Sequence, residues 1–309
     1  MGAHRRVVST LLVCCALALS GCSAASSAGS TADPGTSRVL NVVAAENFWG
    51  SIATQLGGKQ VRVSSIIDAP DADPHKYRAT DADVRAVASA DLAVVNGVGY
   101  DTWASNLADL SPTHPRTVLD VGQLLDLPPD ANPHCWYDPA DVARAVDQLT
   151  ADYKKLDPAD ADYFDAQRTA FTTTALADYN NVLADIKNRF AGTAVGASES
   201  LFATLSPALS LHLATPPGFL NAVSDGVDPG IAEKAVADEQ IATGAIKVYV
   251  YNSQHITPDV QAQVQAAQAK NIPIVIMTEI PPAGSASWQQ WQTTQLEALS
   301  DALAKATGH

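Results

Sequence analysis

D-P-A-D-A-D-Y-F-D-A-Q-R-T-A-F-T-T-T-A-L-A-D-Y-N-N-V-L-A-D-I-K-N-R-F-A-G, residues 157–192, decides the architecture. Asp157 before Pro158 is a helix start, an N-cap acid followed by a residue preset for the first turn. No proline or glycine interrupts the run from Ala159 to Ala191, and Gly192 ends it. Phe164, Phe171, Ala175, Tyr179, Val182, Ile186 and Phe190 recur at multiples of three and four, so they share one face. At 1.5 Å per residue such a helix spans roughly 50 Å, more than a small lobe needs. A stiff rod in mid-chain reads as the backbone between two lobes, and it lacks the sustained heptad of a coiled coil.

On both sides of the rod, short β-rich runs alternate with helical patterns, which is the α/β signal. Before it, strands are expected at Val39 to Ala45, Val61 to Ile67, Leu92 to Val95 and Thr117 to Val121. Asn47 is placed to cap a helix carrying Phe48, Ile52 and Leu56, and Thr80 with Asp83 forms a capping box. Asn96-Gly97-Val98-Gly99 is a turn whose Gly-x-Gly lacks the third glycine of a dinucleotide loop. After the rod, strands are expected at Thr193 to Ala197, Ile246 to Tyr251 and Ile274 to Met277. Asp228-Pro229 and Thr257-Pro258 read as helix starts, and Trp288, Trp291, Leu296, Leu299 and Leu303 mark a last helix. The expected architecture is α/β: two (β/α) lobes, 39–156 and 193–309, joined by the single long helix 157–192.

The front end lies apart from that fold. His4, Arg5 and Arg6 precede an apolar run from Val7 to Leu19 that is too short to span a membrane. It ends in Leu19-Ser20-Gly21-Cys22, which resembles the lipobox of bacterial lipoproteins. That resemblance implies a leader over residues 1–21, a lipid on Cys22 and attachment to the outer face of the cytoplasmic membrane. Residues 22–38 are small and polar and read as a flexible tether. The chain carries a net charge of −14, and losing Arg5 and Arg6 with a leader that holds no acid moves it to −16. Such a surface argues against nucleic acid as a partner and favours a cation as ligand. Cys14 and Cys15 leave with the leader, so a lipidated Cys22 leaves Cys135 without a disulfide partner. Cys135 then reads as a small buried residue, with a metal-linked role kept open by its neighbour His134.

His134 sits in Asn132-Pro133-His134-Cys135-Trp136-Tyr137-Asp138-Pro139, braced by proline on both sides and followed by a helix start at Asp138-Pro139. His75, Glu199 and Glu279 occupy similar places, just after a predicted strand or before a predicted helix. Ligands of open α/β sheets bind beyond the carboxyl ends of the strands. Two imidazoles and two carboxylates suit a borderline transition metal, since imidazole favours zinc and its neighbours while carboxylate also suits manganese. Taken singly, each has a local role open to it. Glu199 could cap the following helix, Glu279 could pair with a lysine, and His75 could be a surface turn residue.

Five blocks in this order and spacing resemble one family. They are D-P-H-K-Y at 73–77, D-A-D-V-R-A-V-A-S-A-D-L-A-V-V-N-G at 81–97, N-P-H-C-W-Y-D-P at 132–139, A-S-E-S at 197–200 and I-P-I-V-I-M-T-E at 272–279. The chain from about Val39 onward resembles the metal-binding lipoproteins of bacterial ABC importers for zinc and manganese. The resemblance implies a metal ion between two lobes, bound by His75, His134, Glu199 and Glu279. It also implies a permease and its ATPase as partners of a monomeric binding protein. Two departures blur the ion's identity. Many manganese-type members carry Asp where Glu279 stands, and many zinc-type members carry a third ligand histidine and a His-rich acidic loop.

The expected function is therefore capture of Zn²⁺ or Mn²⁺ outside the cytoplasm and delivery to an ABC importer, without covalent chemistry. Two ligands from each lobe would close the cleft on coordination. Both histidines must be deprotonated to bind, so affinity is expected to weaken below roughly pH 6.5. Two alternatives belong to other classes. A secreted metal-dependent hydrolase also uses His and carboxylate ligands, but neither H-E-x-x-H nor G-x-S-x-G occurs. A surface adhesin with a structural metal is the other.

Overall fold

Four parallel strands form each of two sheets, and the two sheets share one strand order. The computed structural model describes residues 38–70, 72–110, 112–282 and 284–308. The leader over 1–21, Cys22 and the tether up to Ser37 lie outside the described residues.

The first half runs β1 (Leu40–Glu46), α1 (Asn47–Gly57), β2 (Val61–Ile67), α2 (Asp81–Ala88), β3 (Leu92–Val95), α3 (Thr102–Ala108), β4 (Thr117–Asp120), α4 (Val121–Leu124) and α5 (Pro139–Leu156). Its strands lie in the order β2-β1-β3-β4, with Val42 opposite both Val63 and Leu92. The predicted capping box at Thr80 and Asp83 forms, and Asp138 caps α5 by accepting the Ala140 N–H at 2.7 Å. Asn47 is not a cap: it is the first helical residue, and Glu46 takes the N-cap position without a side-chain bond.

Two helices follow, α6 (Ala161–Ala170) and α7 (Ala177–Phe190), in place of one uninterrupted rod. Between them Phe171–Ala175 forms a turn of π-helix, closed by the Leu176 N–H donating to the Phe171 carbonyl at 3.0 Å. The physical cause is local. Thr172 and Thr173 turn their hydroxyls back onto the Arg168 and Thr169 carbonyls, at 3.0 and 2.7 Å. Such back-bonding by β-branched residues competes with the α-helical ladder, and a π turn absorbs one extra residue. The apolar face survives it: Phe164, Phe171, Tyr179, Ile186 and Phe190 are all buried.

The second half contains β5 (Ala194–Ala197), α8 (Leu201–Leu205), β6 (His212–Leu213), α9 (Pro217–Ser224), α10 (Ile231–Thr243), β7 (Val248–Asn252), α11 (Pro258–Ala269), β8 (Ile274–Met277) and α12 (Trp288–Thr307). The strands lie in the order β6-β5-β7-β8, the same pattern as in the first sheet. In each sheet the second strand pairs on one side of the first and the third strand on the other. Loops leaving the carboxyl ends diverge at that point and open a crevice. α10 starts at Ile231 after Gly230, later than Asp228-Pro229 suggests.

One apolar cluster runs through both halves. It joins Val42 and Val94 of the first sheet to Val195, Val250 and Met277 of the second through Trp136, Tyr137, Phe202 and Trp291. α12 packs on α7 and also reaches α1, β7 and β8, so it contacts both halves. Trp136 stands at the centre, stacked on Phe48 with ring centroids 4.1 Å apart. Truncating such a fully buried aromatic costs about 3–5 kcal/mol.

Candidate metal centre

His134 is held from below by packing and from the side by hydrogen bonds. Its ring meets Trp136 edge-on at 5.2 Å and Tyr100 at 6.2 Å. Its Nδ1 lies 2.6 Å from Asn132 Oδ1, and the same oxygen accepts the His134 backbone N–H at 3.2 Å. An amide oxygen only accepts, so Nδ1 carries the proton and Nε2 is left with its lone pair. That Nε2 is buried, has no hydrogen-bond partner and lies 3.7 Å from Glu279 Oε1.

Glu199 and Glu279 complete a tight group with His134, one ligand atom from each lying within 4.8 Å of the others. Glu199 follows β5 and Glu279 follows β8, at the carboxyl edge of the second sheet. Asn252, the last residue of β7, bridges them through Nδ2, donating to Glu199 Oε1 at 2.7 Å and to Glu279 Oε1 at 3.1 Å. Glu199 Oε2 is buried without a hydrogen bond. Burial pushes the Glu199 carboxyl up from the usual range, helped by the charge of Glu279. Glu279 is drawn the other way: burial acts to raise it, but protonated His134 and His75, together with Glu199, hold it below the usual range. An ionised carboxylate, a second carboxylate close by and an imidazole lone pair make a donor set suited to a divalent transition metal.

The protein's own bonds bring these three together across the two halves. Asn132 Nδ2 donates to the Ser200 carbonyl at 2.6 Å, next to Glu199. The Tyr137 hydroxyl donates to the Thr278 carbonyl at 2.7 Å, next to Glu279. Tyr100 reaches Glu279 itself, its hydroxyl 3.3 Å from Oε2. The closing motion expected from two ligands per lobe is thus not needed to assemble this trio.

Behind Tyr100 lies the glycine turn. Gly97, Val98 and Gly99 all have positive φ, at 75°, 53° and 75°, a strained run for a β-branched residue. A Cβ on Gly97 would meet Asp120 Oδ1 at 2.3 Å, so only glycine fits there. The turn wraps a carboxylate of its own chain: Asp101 accepts the Asn96 and Gly97 N–H groups at 2.7 and 2.8 Å. Asn96 Nδ2 then donates to the Pro133 carbonyl at 2.9 Å, bracing the His134 loop. Glu46 is fully buried beside Asp101, and neither of its oxygens receives a hydrogen bond. Burial and the Asp101 carboxylate push Glu46 well above the usual carboxylate range. Burial also raises Asp101, to about 6, against its two backbone N–H donors.

His75 stands outside the tight trio. It lies in the short 3₁₀ turn Pro74–Lys76, capped by Asp73 Oδ1 accepting the His75 N–H at 3.0 Å, and meets Tyr100 edge-on at 4.8 Å. It lines a cavity of about 500 Å³ that also holds Asn252, His255 and Glu279. Cys135 belongs to the core, and burial pushes its thiol up to about 12, in keeping with a small residue packed among apolar neighbours. Asn252 and His255 are functional candidates that the sequence reading passes over. Both follow the predicted strand Ile246 to Tyr251, the position shared by the other candidates, but no proline marks them out.

Comparison with known proteins bears on the family and the fold. The sequence pattern of a family described as ZnuA, zinc-uptake complex component A, periplasmic, matches residues 42–302. The chain is 27% identical over 168 residues to the manganese-binding lipoprotein MntA of Halalkalibacterium halodurans, covering 53% of this chain and 54% of that protein. It is 29% identical over 160 residues to the manganese-binding lipoprotein MntA of Bacillus subtilis, covering 48% of each. The chain thus matches about half the length of these curated relatives. Among solved structures, the Mn-bound periplasmic metal binding protein from Candidatus Liberibacter asiaticus has the same fold. Its TM-score is 0.70 at 17% identity, over 85% of this chain and 98% of that one.

Proposed function

The chain belongs to the ZnuA family of zinc-uptake complex components, and on that premise we propose that it captures a divalent transition metal ion outside the cytoplasm and delivers it to an ABC importer. One observation carries the reading: His134 Nε2 and Glu199 Oε2, in the same buried group, make no hydrogen bond within the protein. Leaving a buried polar atom unpaired costs about 1–3 kcal/mol, more for a charged one. An ion shared by both offsets that penalty.

In this reading the ligands are His75, His134, Glu199 and Glu279, two from each of the lobes 39–156 and 193–309 on either side of the connecting segment 157–192. Two neutral imidazoles and two carboxylates balance the charge of a divalent ion. His75, exposed and lining the cavity, is the ligand that comes to the other three. A lipid on Cys22 tethers the protein to the outer face of the membrane, where it meets the permease and its ATPase as a monomer. The ion is Zn²⁺ or Mn²⁺. The manganese-binding relatives favour Mn²⁺ and the family description favours Zn²⁺. At a flexible N/O site zinc binds more tightly than manganese whichever is carried, so affinity alone does not name the cargo.

Calorimetric titration with Zn²⁺ and Mn²⁺ tests the reading. One ion per chain is expected, and His134→Ala is expected to weaken binding by more than about 100-fold while the protein stays folded. Unchanged affinity of that variant for both ions overturns the assignment.

A further inference from the structure

His255 stands on the loop between β7 and α11, and its Nδ1 lies 3.4 Å from Glu199 Oε2. The other oxygen of that carboxylate is engaged by Asn252 Nδ2 at 2.7 Å, and Oε2 is the oxygen turned toward His255. Two donors each about 2.1 Å from one ion, at a tetrahedral angle, stand about 3.4 Å apart. The 3.4 Å between His255 and Glu199 has that spacing, and the 3.7 Å between His134 Nε2 and Glu279 Oε1 is close to it. The His255 side chain is 32% exposed and lines the same cavity as His75 and Glu279. Like His75, it lies outside the tight trio of His134, Glu199 and Glu279 and reaches that trio through Glu199.

We propose that His255 is an additional metal ligand, so that the ion is held by three imidazoles, His75, His134 and His255, and two carboxylates. The proposal rests on the metal-capture reading above. A third neutral imidazole leaves the charge balance untouched and raises the nitrogen share of the coordination sphere. Imidazole favours zinc, iron and cobalt over manganese, so His255 tilts the site toward the former.

Cobalt(II) is the probe, because its visible absorption changes with the number and type of its ligands. In His255→Ala and His255→Gln the cobalt band is expected to shift in position and intensity. Affinity for Co²⁺ and Zn²⁺ should fall about 10- to 100-fold, and affinity for Mn²⁺ by less. His212→Ala, an exposed histidine on β6, serves as the control and is expected to keep the parent spectrum. An unchanged spectrum with unchanged zinc affinity in both His255 variants overturns the proposal. Weaker binding with an unchanged spectrum also overturns it, since that marks a residue that only orients Glu199. If the parent protein binds neither cobalt nor zinc, the metal-capture reading itself fails, which is a separate result.

Discussion

The Tyr137 hydroxyl donates to the Thr278 carbonyl at 2.7 Å, and this one bond fastens the loop carrying His134 to the strand end carrying Glu279. Gln295 clamps the pair: its Oε1 accepts the Thr278 N–H at 2.8 Å, and its Nε2 donates to the Tyr137 oxygen at 3.1 Å. Tyr137 is fully buried, and burial pushes its hydroxyl far above the usual range, so it acts only as a neutral hydrogen-bonding group.

Tyr137→Phe keeps the ring and removes the clamp. The Thr278 carbonyl is left short of a donor, at a cost of about 1–3 kcal/mol, and Glu279 loses its fixed distance from His134. Urea unfolding is expected to show that loss. Zinc titration of the same variant is expected to show roughly tenfold weaker binding, in the range seen when outer-shell partners of a metal site are lost. Full affinity in a destabilised Tyr137→Phe protein would mean the clamp serves the core alone.

Asn132→Ala addresses the tautomer of His134. Without Oδ1 the proton on Nδ1 keeps only the more distant Ser200 Oγ, at 3.4 Å, and the bond to the Ser200 carbonyl is lost as well. Metal affinity is expected to fall about 10- to 100-fold with little change in circular dichroism. Binding within twofold of the parent would show that packing against Trp136 is enough to orient the ring.

Glu199→Gln separates function from stability. Glu199 is buried, and both that burial and the nearby charge of Glu279 disfavour its ionised form. Neutralising it is expected to stabilise the metal-free protein by about 1 kcal/mol while abolishing the rise in melting temperature that metal gives the parent. A melting temperature that falls in the variant and still rises with metal contradicts both halves of this expectation.

Glu46 and Asp101 set a pH dependence of their own. Both carboxyls titrate higher in the folded protein than in an unfolded chain, Asp101 at about 6 and Glu46 well above the usual range. Above an unfolded carboxylate value of about 4, the folded protein still holds protons that the unfolded chain has released. Stability must therefore fall as pH rises through that window. Glu46→Gln keeps the shape and a donor toward Asp101 but has no proton to lose. Its stability at pH 8 is expected to exceed the parent's by on the order of 1–3 kcal/mol, with the difference shrinking toward pH 5. Urea melts at the two pH values measure it, and parallel curves would contradict the pair.

Periodicity carried most of the fold into the sequence. The buried face Phe164, Phe171, Tyr179, Ile186 and Phe190 is legible because a helix repeats every 3.6 residues. The π turn is not, because it arises from threonine hydroxyls competing for carbonyls, which leaves no period behind. β6 has two residues and α9 eight, too short for a pattern to rise above chance. Strand order is invisible for a different reason: it is settled by tertiary packing. At the site, His134 stands out because prolines and an N-cap mark its loop. Asn132 reads only as a turn former, and nothing local announces that its amide chooses the imidazole proton. Glu46 and Asp101 are 55 positions apart, and only the fold makes them neighbours.

The apolar cluster that runs unbroken from Val42 to Met277 bears on how this scaffold can be re-engineered. Grafting a second half from a relative to alter ion preference severs more than the ligand shell. The graft must bring its own counterparts of Phe202, Trp291 and Gln295 to fit Trp136 and Tyr137, or the seam will leak water into the floor of the site. Chimeras divided at the sheet boundary should therefore fail as folding units before they fail as receptors. Specificity is better redesigned by point changes in the loops than by exchange of modules.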